Sequence, residues 1–231
     1  MRQTDRRILP RVVLFDVGNM LLHVAENPHL TSWRELGCLN EISPDAYTRG
    51  VEQAKREWHE AGGAPDLEDL SETWIERYMR ALELAGFSGD VAHTARLIEQ
   101  SFLVNGWQVY PDAKDVLAYL VGGGIRLGVV SNWTERLEAT LEEAGLSRYC
   151  DVIVSSGVVG YAKPNPAIYG FALECLGADP EESLFVGDSL RLDVEGPLAV
   201  GIRSVLIDRD QRFANYGNRI ESLSELRDWG L

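Results

Sequence analysis

From Pro111 to Asp208 the sequence alternates short apolar runs with longer amphipathic ones, and this rhythm constrains the fold more than any other feature. IRLGVVS (125–131), CDVIVSS (150–156), SLFVGD (183–188) and RSVLID (203–208) are short apolar runs that read as buried strands. Between them, PDAKDVLAYLVGGG (111–124), TERLEATLEEAGL (134–146), NPAIYGFALECLG (165–177) and LRLDVEGPLAVG (190–201) predict helices, each with glycine at or near its end. RVVLFD (11–16), followed by a Gly-Asn turn, supplies one more strand ahead of them. Strands that alternate with helices predict an α/β, Rossmann-like parallel sheet with helices on both faces.

The stretch between the first strand and Pro111 has a different character. SPDAYTRGVEQAKREWHEAGG opens on a Ser-Pro helix start and closes on Gly-Gly. LEDLSETWIERYMRALELAG places Leu67, Leu70, Trp74, Tyr78, Leu82 and Leu84 near helical spacing, and SGDVAHTARLIEQSFLVNG gives a third capped run. No strand is expected between about 25 and 107. The organisation read from the sequence is therefore an α/β core of residues 1–22 and 108–231, with an all-helical module of residues 23–107 inserted after the first strand.

In open α/β sheets, ligands bind outside the carboxyl ends of the strands. The polar residues at those ends are Asp16, Ser131, Asn132 and Asp188, and Lys163 lies in the loop GYAKPNP after the third of these strands. Each also has a simpler reading. Asp16 caps a turn, Ser131 caps the helix expected at 134–146, and Asp193 is a solvated helix charge. Lys163 stands out by composition: the chain has 22 basic residues, of which only Lys55, Lys114 and Lys163 are lysine. In so Arg-weighted a chain, a lysine inside AKPNP points to a geometric need for a compact ammonium.

The net charge of −14 argues against nucleic acid and anionic membranes as partners, since both require a basic footprint. It splits as +2 over residues 1–22, −8 over 23–107 and −8 over 108–231. An anionic substrate must therefore be held by local groups rather than by the field of the whole molecule. Cys38, Cys150 and Cys175 are odd in number and widely spaced, which fits reduced thiols packed as small apolar residues. MRQTDRRILP has no apolar stretch of signal-peptide type, and no apolar run approaches bilayer length, so a cytoplasmic location is expected.

FDVGNMLL, VVSNW, AKPNPAIY and FVGDSLRLDVEGPLAVG, in this order and each at a strand end, resemble the four motifs of the haloacid dehalogenase-like hydrolase superfamily. The resemblance covers nearly the whole chain and implies a helical cap over residues 23–107. It implies that Asp16 is a nucleophile forming a covalent intermediate, with Lys163 and Ser131 as its catalytic partners. It further implies a Mg²⁺ cofactor held by Asp16, Asp188 and the Gly18 carbonyl, with Asp193 in support. Asn132, Gly18 and Asn19 would offer backbone N–H donors to a small phosphorylated substrate.

Motif one departs from the family. Phosphatases of the superfamily carry Asp-x-Asp-x-Thr, whereas this chain has Asp16, Val17, Gly18, Asn19 and Met20. The second Asp is the general acid–base, worth about 10²–10⁴-fold in rate. Its loss implies a weakened phosphatase that favours aryl or acyl leaving groups. His23, on the way into the helical module, is a candidate substitute acid. Two further readings stand beside the phosphatase: a non-catalytic binding protein on the same fold, and a metal-free 2-haloacid dehalogenase whose halide cradle would draw on Arg34 or Arg49. The other histidines, His29, His59 and His93, form no metal-ligand spacing.

Overall fold

The structure, a computed structural model, describes residues 10–24, 36–37, 41–60 and 70–229. Arg34, Cys38, His29 and Leu67 lie outside the described residues, as do the side chains of His59 and Leu70. The chain divides into two compact units: Met1–His23 with Val109–Leu231, and Val24–Gln108.

The first unit is built on a six-stranded sheet with every pairing parallel. Its strands are β1 (Val12–Phe15), β4 (Arg126–Ser131), β5 (Val152–Ser155), β6 (Ser183–Gly187), β7 (Arg203–Ile207) and β8 (Arg219–Ile220), in the spatial order β5-β4-β1-β6-β7-β8. β1 is central and fully buried, which is why it reads as an unbroken apolar run rather than an alternating one. Val12 and Leu14 face a core made with Val130, Val154, Phe185 and the inner face of a helix, Pro166–Leu176, that supplies Ile168, Tyr169 and Leu173. Asn165 caps that helix by accepting from the Ala167 N–H, and Pro166 occupies its first turn. A second helix, Ala113–Gly122, buries Val116, Leu117 and Leu120 and packs against β4.

The fold class agrees with the sequence reading, and several details differ. The helix expected over 134–146 is only Leu137–Glu143. The cause lies just before it: Ser155 Oγ lies 2.7 Å from both the Trp133 and the Thr134 carbonyls and shares its one proton between them, so this stretch of backbone is tied to the end of β5. Ser131 ends β4 and caps no helix. The helix expected over 190–201 is a π-helical turn, Leu190–Glu195, followed by a short α-turn, Gly196–Ala199. Pro197 lacks an amide proton to continue the first ladder. RSVLID is not the last strand, since β8 extends the sheet at its edge. A two-stranded ribbon of β2 (Leu22–Val24) and β3 (Trp107–Val109) stands where the chain passes between the units. Cys175 is exposed rather than packed as an apolar residue.

The second unit contains α1 (Pro44–Glu60), α2 (Leu70–Leu84) and α3 (Val91–Asn105). Ser43 and Asp90 accept from backbone N–H groups at the starts of α1 and α3. Ile42, Tyr47, Tyr78, Leu82, Phe87, Ala95 and Ile98 form its core. α1 and α2 approach so closely at Gly50 that any Cβ there would overlap the Ala81 carbonyl. The Arg77 guanidinium stacks on Trp74 at 3.8 Å and on Trp58 at 4.7 Å. Among the described residues, no helix is long and apolar enough to cross a membrane.

Candidate active site

β4 and β5 continue from β1 toward one edge of the sheet, and β6, β7 and β8 continue toward the other, so the strand order reverses beside β1. That is the switch point at which open α/β sheets form a crevice. Asp16 follows β1 there, and Asp188 follows β6.

Asp16 is buried and held from two sides. Lys163 Nζ donates to its Oδ1 at 2.6 Å, and Ser131 Oγ donates to the same oxygen at 2.9 Å. Both bonds fall on Oδ1, which leaves Oδ2 as the freer oxygen. The Lys163 ammonium also donates to Asp193 Oδ1 at 2.6 Å, so one buried cation bridges two carboxylates. Burial disfavours that ammonium, but Asp16 and Asp193 outweigh the desolvation and raise its pKa.

Asp193 reaches Lys163 from the π-helical turn. Its Oδ2 accepts from the Ser189 N–H at 3.0 Å, and Ser189 Oγ in turn accepts from the Leu192 N–H. Gly187 is required beside it, because a Cβ there would lie 2.6 Å from Asp193 Oδ2. Burial pushes the Asp193 carboxyl upward; Lys163 opposes this and Asp16 adds to it. Burial also raises Asp188, to about 6, with Asp16 repelling its charge. Arg212, Lys163 and a hydrogen bond from the Asn19 side chain pull Asp188 the other way.

Asn132 does something the sequence does not reveal. Its Oδ1 accepts from the Lys163 backbone N–H at 2.6 Å and its Nδ2 donates to the Lys163 carbonyl at 3.0 Å. The bracket seats Lys163 just before a cis peptide to Pro164. Gly18 and Asn19 form the turn after β1, with Asn19 in the left-handed region at φ 53°. A Cβ on Gly18 would meet nothing within 4 Å. His23 packs against Tyr110 with ring centroids 4.6 Å apart and the ring planes tilted by 49°. Sequence reasoning also missed Arg209, whose guanidinium donates to both oxygens of Asp112 and to the Met20 carbonyl, bracing the end of the motif-one turn.

Asp16, Asp188 and Asp193 each offer a carboxylate oxygen, all within 4.8 Å of one another. One ammonium and the half-exposed Arg212 face these three acids, and the all-oxygen donor set fits a hard divalent cation. Asp193 is already engaged by Lys163 and Ser189, so Asp16 and Asp188 are the carboxylates with capacity to spare.

Residues 10–201 match the family described as haloacid dehalogenase-like hydrolase, and the chain belongs to that hydrolase family. It is 31% identical over 211 residues to haloacid dehalogenase-like hydrolase domain-containing protein 3 of Homo sapiens, covering 87% of this chain and 83% of the relative. It is 33% identical over 217 residues to ribulose-1,5-bisphosphate 5-phosphatase of Halopiger xanaduensis, covering 85% and 84%. Among solved structures, a haloacid dehalogenase-like (HAD) phosphatase from Thermococcus onnurineus superposes with a TM-score of 0.67 at 28% identity, covering 94% of this chain and 96% of the other.

Proposed function

We propose that this protein is a Mg²⁺-dependent phosphatase that hydrolyses a small phosphorylated metabolite through an aspartyl-phosphate on Asp16. One observation carries the reading: Asp16 Oδ1 is held by Lys163 and Ser131, which leaves Oδ2 to attack. The Lys163 ammonium also stands beside the position where a transferred phosphoryl group would sit, with one N–H beyond those given to Asp16 and Asp193 for its developing charge. Asp16 Oδ2 bonds to phosphorus as the ester oxygen leaves, and water then attacks the aspartyl-phosphate, releasing phosphate and restoring the carboxylate. Mg²⁺, held by Asp16, Asp188 and the Gly18 carbonyl, would offset the repulsion between Asp16 and the anionic phosphoryl group. The phosphatase relatives support this reading. The helical unit serves as the cap that selects the substrate. The enzyme works in the cytoplasm, in keeping with Cys150 and Cys175 as free thiols.

The test is Mg²⁺-dependent release of p-nitrophenol from its phosphate ester. Turnover that disappears in Asp16→Asn and in EDTA supports the reading. Absence of turnover in the wild type overturns it. Gly18 favours a second reading, ligand binding without turnover, which Asp16→Asn would leave intact.

A further inference from the structure

We propose that Arg212 is the recognition site for a second oxyanion on the substrate, a carboxylate or a second phosphate lying a few bonds from the transferred phosphoryl group. This rests on the phosphatase reading and deepens it.

The position of Arg212 is fixed by the sheet. Asp208 follows β7 and is buried; its Oδ1 accepts from the Arg212 N–H and its Oδ2 from the Phe213 N–H, both at 2.8 Å. The Gln211 N–H donates back to the Asp208 carbonyl, and Gln211 takes the left-handed conformation that closes this tight turn. A buried carboxylate thus anchors the backbone of residue 212, while its side chain stays 52% exposed. The guanidinium reaches inward to Asp188, with Nη2 3.4 Å from Oδ2.

The other cations here are committed. Lys163 is buried between Asp16 and Asp193 at 2.6 Å from each. Arg209 is held by both oxygens of Asp112 and by the Met20 carbonyl. The Arg212 guanidinium lies 5.5 Å from the Phe213 ring centroid and makes one long, solvent-exposed ion pair with Asp188, of a kind that contributes little and exchanges readily. Its remaining N–H donors match the oxygen spacing of carboxylate and phosphate. Asp188 joins Arg212 to the cluster that contains Asp16. A phosphoryl group at Asp16 would therefore place a nearby second anion within reach of the fork. In a chain of net charge −14, such a local cation is what can hold an anionic substrate.

The test uses non-hydrolysable ligands and calorimetric titration in Mg²⁺: propylphosphonate, 3-phosphonopropionate and propane-1,3-bisphosphonate. The wild type is expected to bind at least one of the two bis-anions about tenfold more tightly than propylphosphonate. The tighter of the two identifies the second group as carboxylate or phosphate. Arg212→Gln should abolish this preference, weakening the favoured bis-anion about tenfold more than propylphosphonate. The proposal is overturned if the wild type shows no preference, if the preference survives Arg212→Gln, or if the substitution weakens all three ligands alike. It is overturned as well if none of the three binds. Loss of the phosphatase reading would appear separately, as absent turnover of p-nitrophenyl phosphate in a protein that still discriminates among the phosphonates.

Discussion

Asn132 grips the peptide group of Lys163 from both sides, accepting from its N–H and donating to its carbonyl. A side chain at the end of one strand thereby sets the backbone of a loop 31 residues away, and the ammonium of that loop meets Asp16. Replacing Asn132 with Leu removes both bonds and leaves two backbone groups of Lys163 without their partners. The expected cost is about 1–3 kcal/mol of unfolding free energy. Turnover should fall about tenfold or more while binding of propylphosphonate changes little, because Lys163 loses its aim rather than its charge. Urea melts and steady-state kinetics of the variant check both; unchanged turnover would deny Asn132 a positioning role.

The turn after β1 has room for a side chain at Gly18. Gly18→Asp should therefore fold normally and place a carboxyl group beside the leaving oxygen. Turnover of an alkyl phosphate should rise by about 10²–10⁴-fold, and that of p-nitrophenyl phosphate far less, since nitrophenolate leaves without a proton. Equal gains on both esters would mean that the added group does not act as an acid.

Asp112 accepts from Arg209, Ser222 Oγ and the Leu223 N–H. Burial alone would raise its pKa, but these donors outweigh burial and hold the carboxyl below its usual 3.8. A carboxyl lowered by folding stabilises the native state above its unfolded pKa, and that stability is lost as pH falls through the folded value. Asp112→Asn should cost about 1–2 kcal/mol at pH 7, a modest figure for a group that solvent partly screens. The gap to wild type should narrow below about pH 4. Denaturant melts from pH 7 to pH 3 would show this; a gap that stays constant would assign the loss to packing instead.

Burial pushes the Cys150 thiol up to about 12, while Cys175 is exposed. Iodoacetamide at pH 7.5 should label Cys175 well before Cys150, and peptide mass spectrometry reads the order. Equal rates would mean that the Leu146–Cys150 segment opens readily.

The parallel sheet was legible because its buried strands are short unbroken apolar runs, as in VVLF of β1 and LFV of β6. β2, β3 and β8, with two or three residues each, are too short to carry any period. The π-helical turn was illegible for another reason. LRLDVE has ordinary helical spacing, and its register is set by tertiary demands: Asp193 must reach Lys163 past Gly187. In the site, the polar strand ends at Asp16, Ser131 and Asp188 could be read directly. The Asn132 bracket and the Arg209 brace could not, because both act on backbone groups that only the folded chain brings near.

Lys163 answers to two carboxylates, and only one of them, Asp16, is the proposed nucleophile. When Asp16 is esterified in the proposed cycle, its carboxylate charge goes out on the leaving ester oxygen, and the dianionic phosphoryl group it now carries later departs as phosphate. A buried ammonium with a single partner would then face a changing electrostatic environment at every step. Asp193 takes no part in the covalent step, so Lys163 keeps one hydrogen-bonding partner while its other neighbour changes chemical identity. That second partner holds the ammonium in one place, so the protein can run a covalent cycle without refitting its interior at each turn.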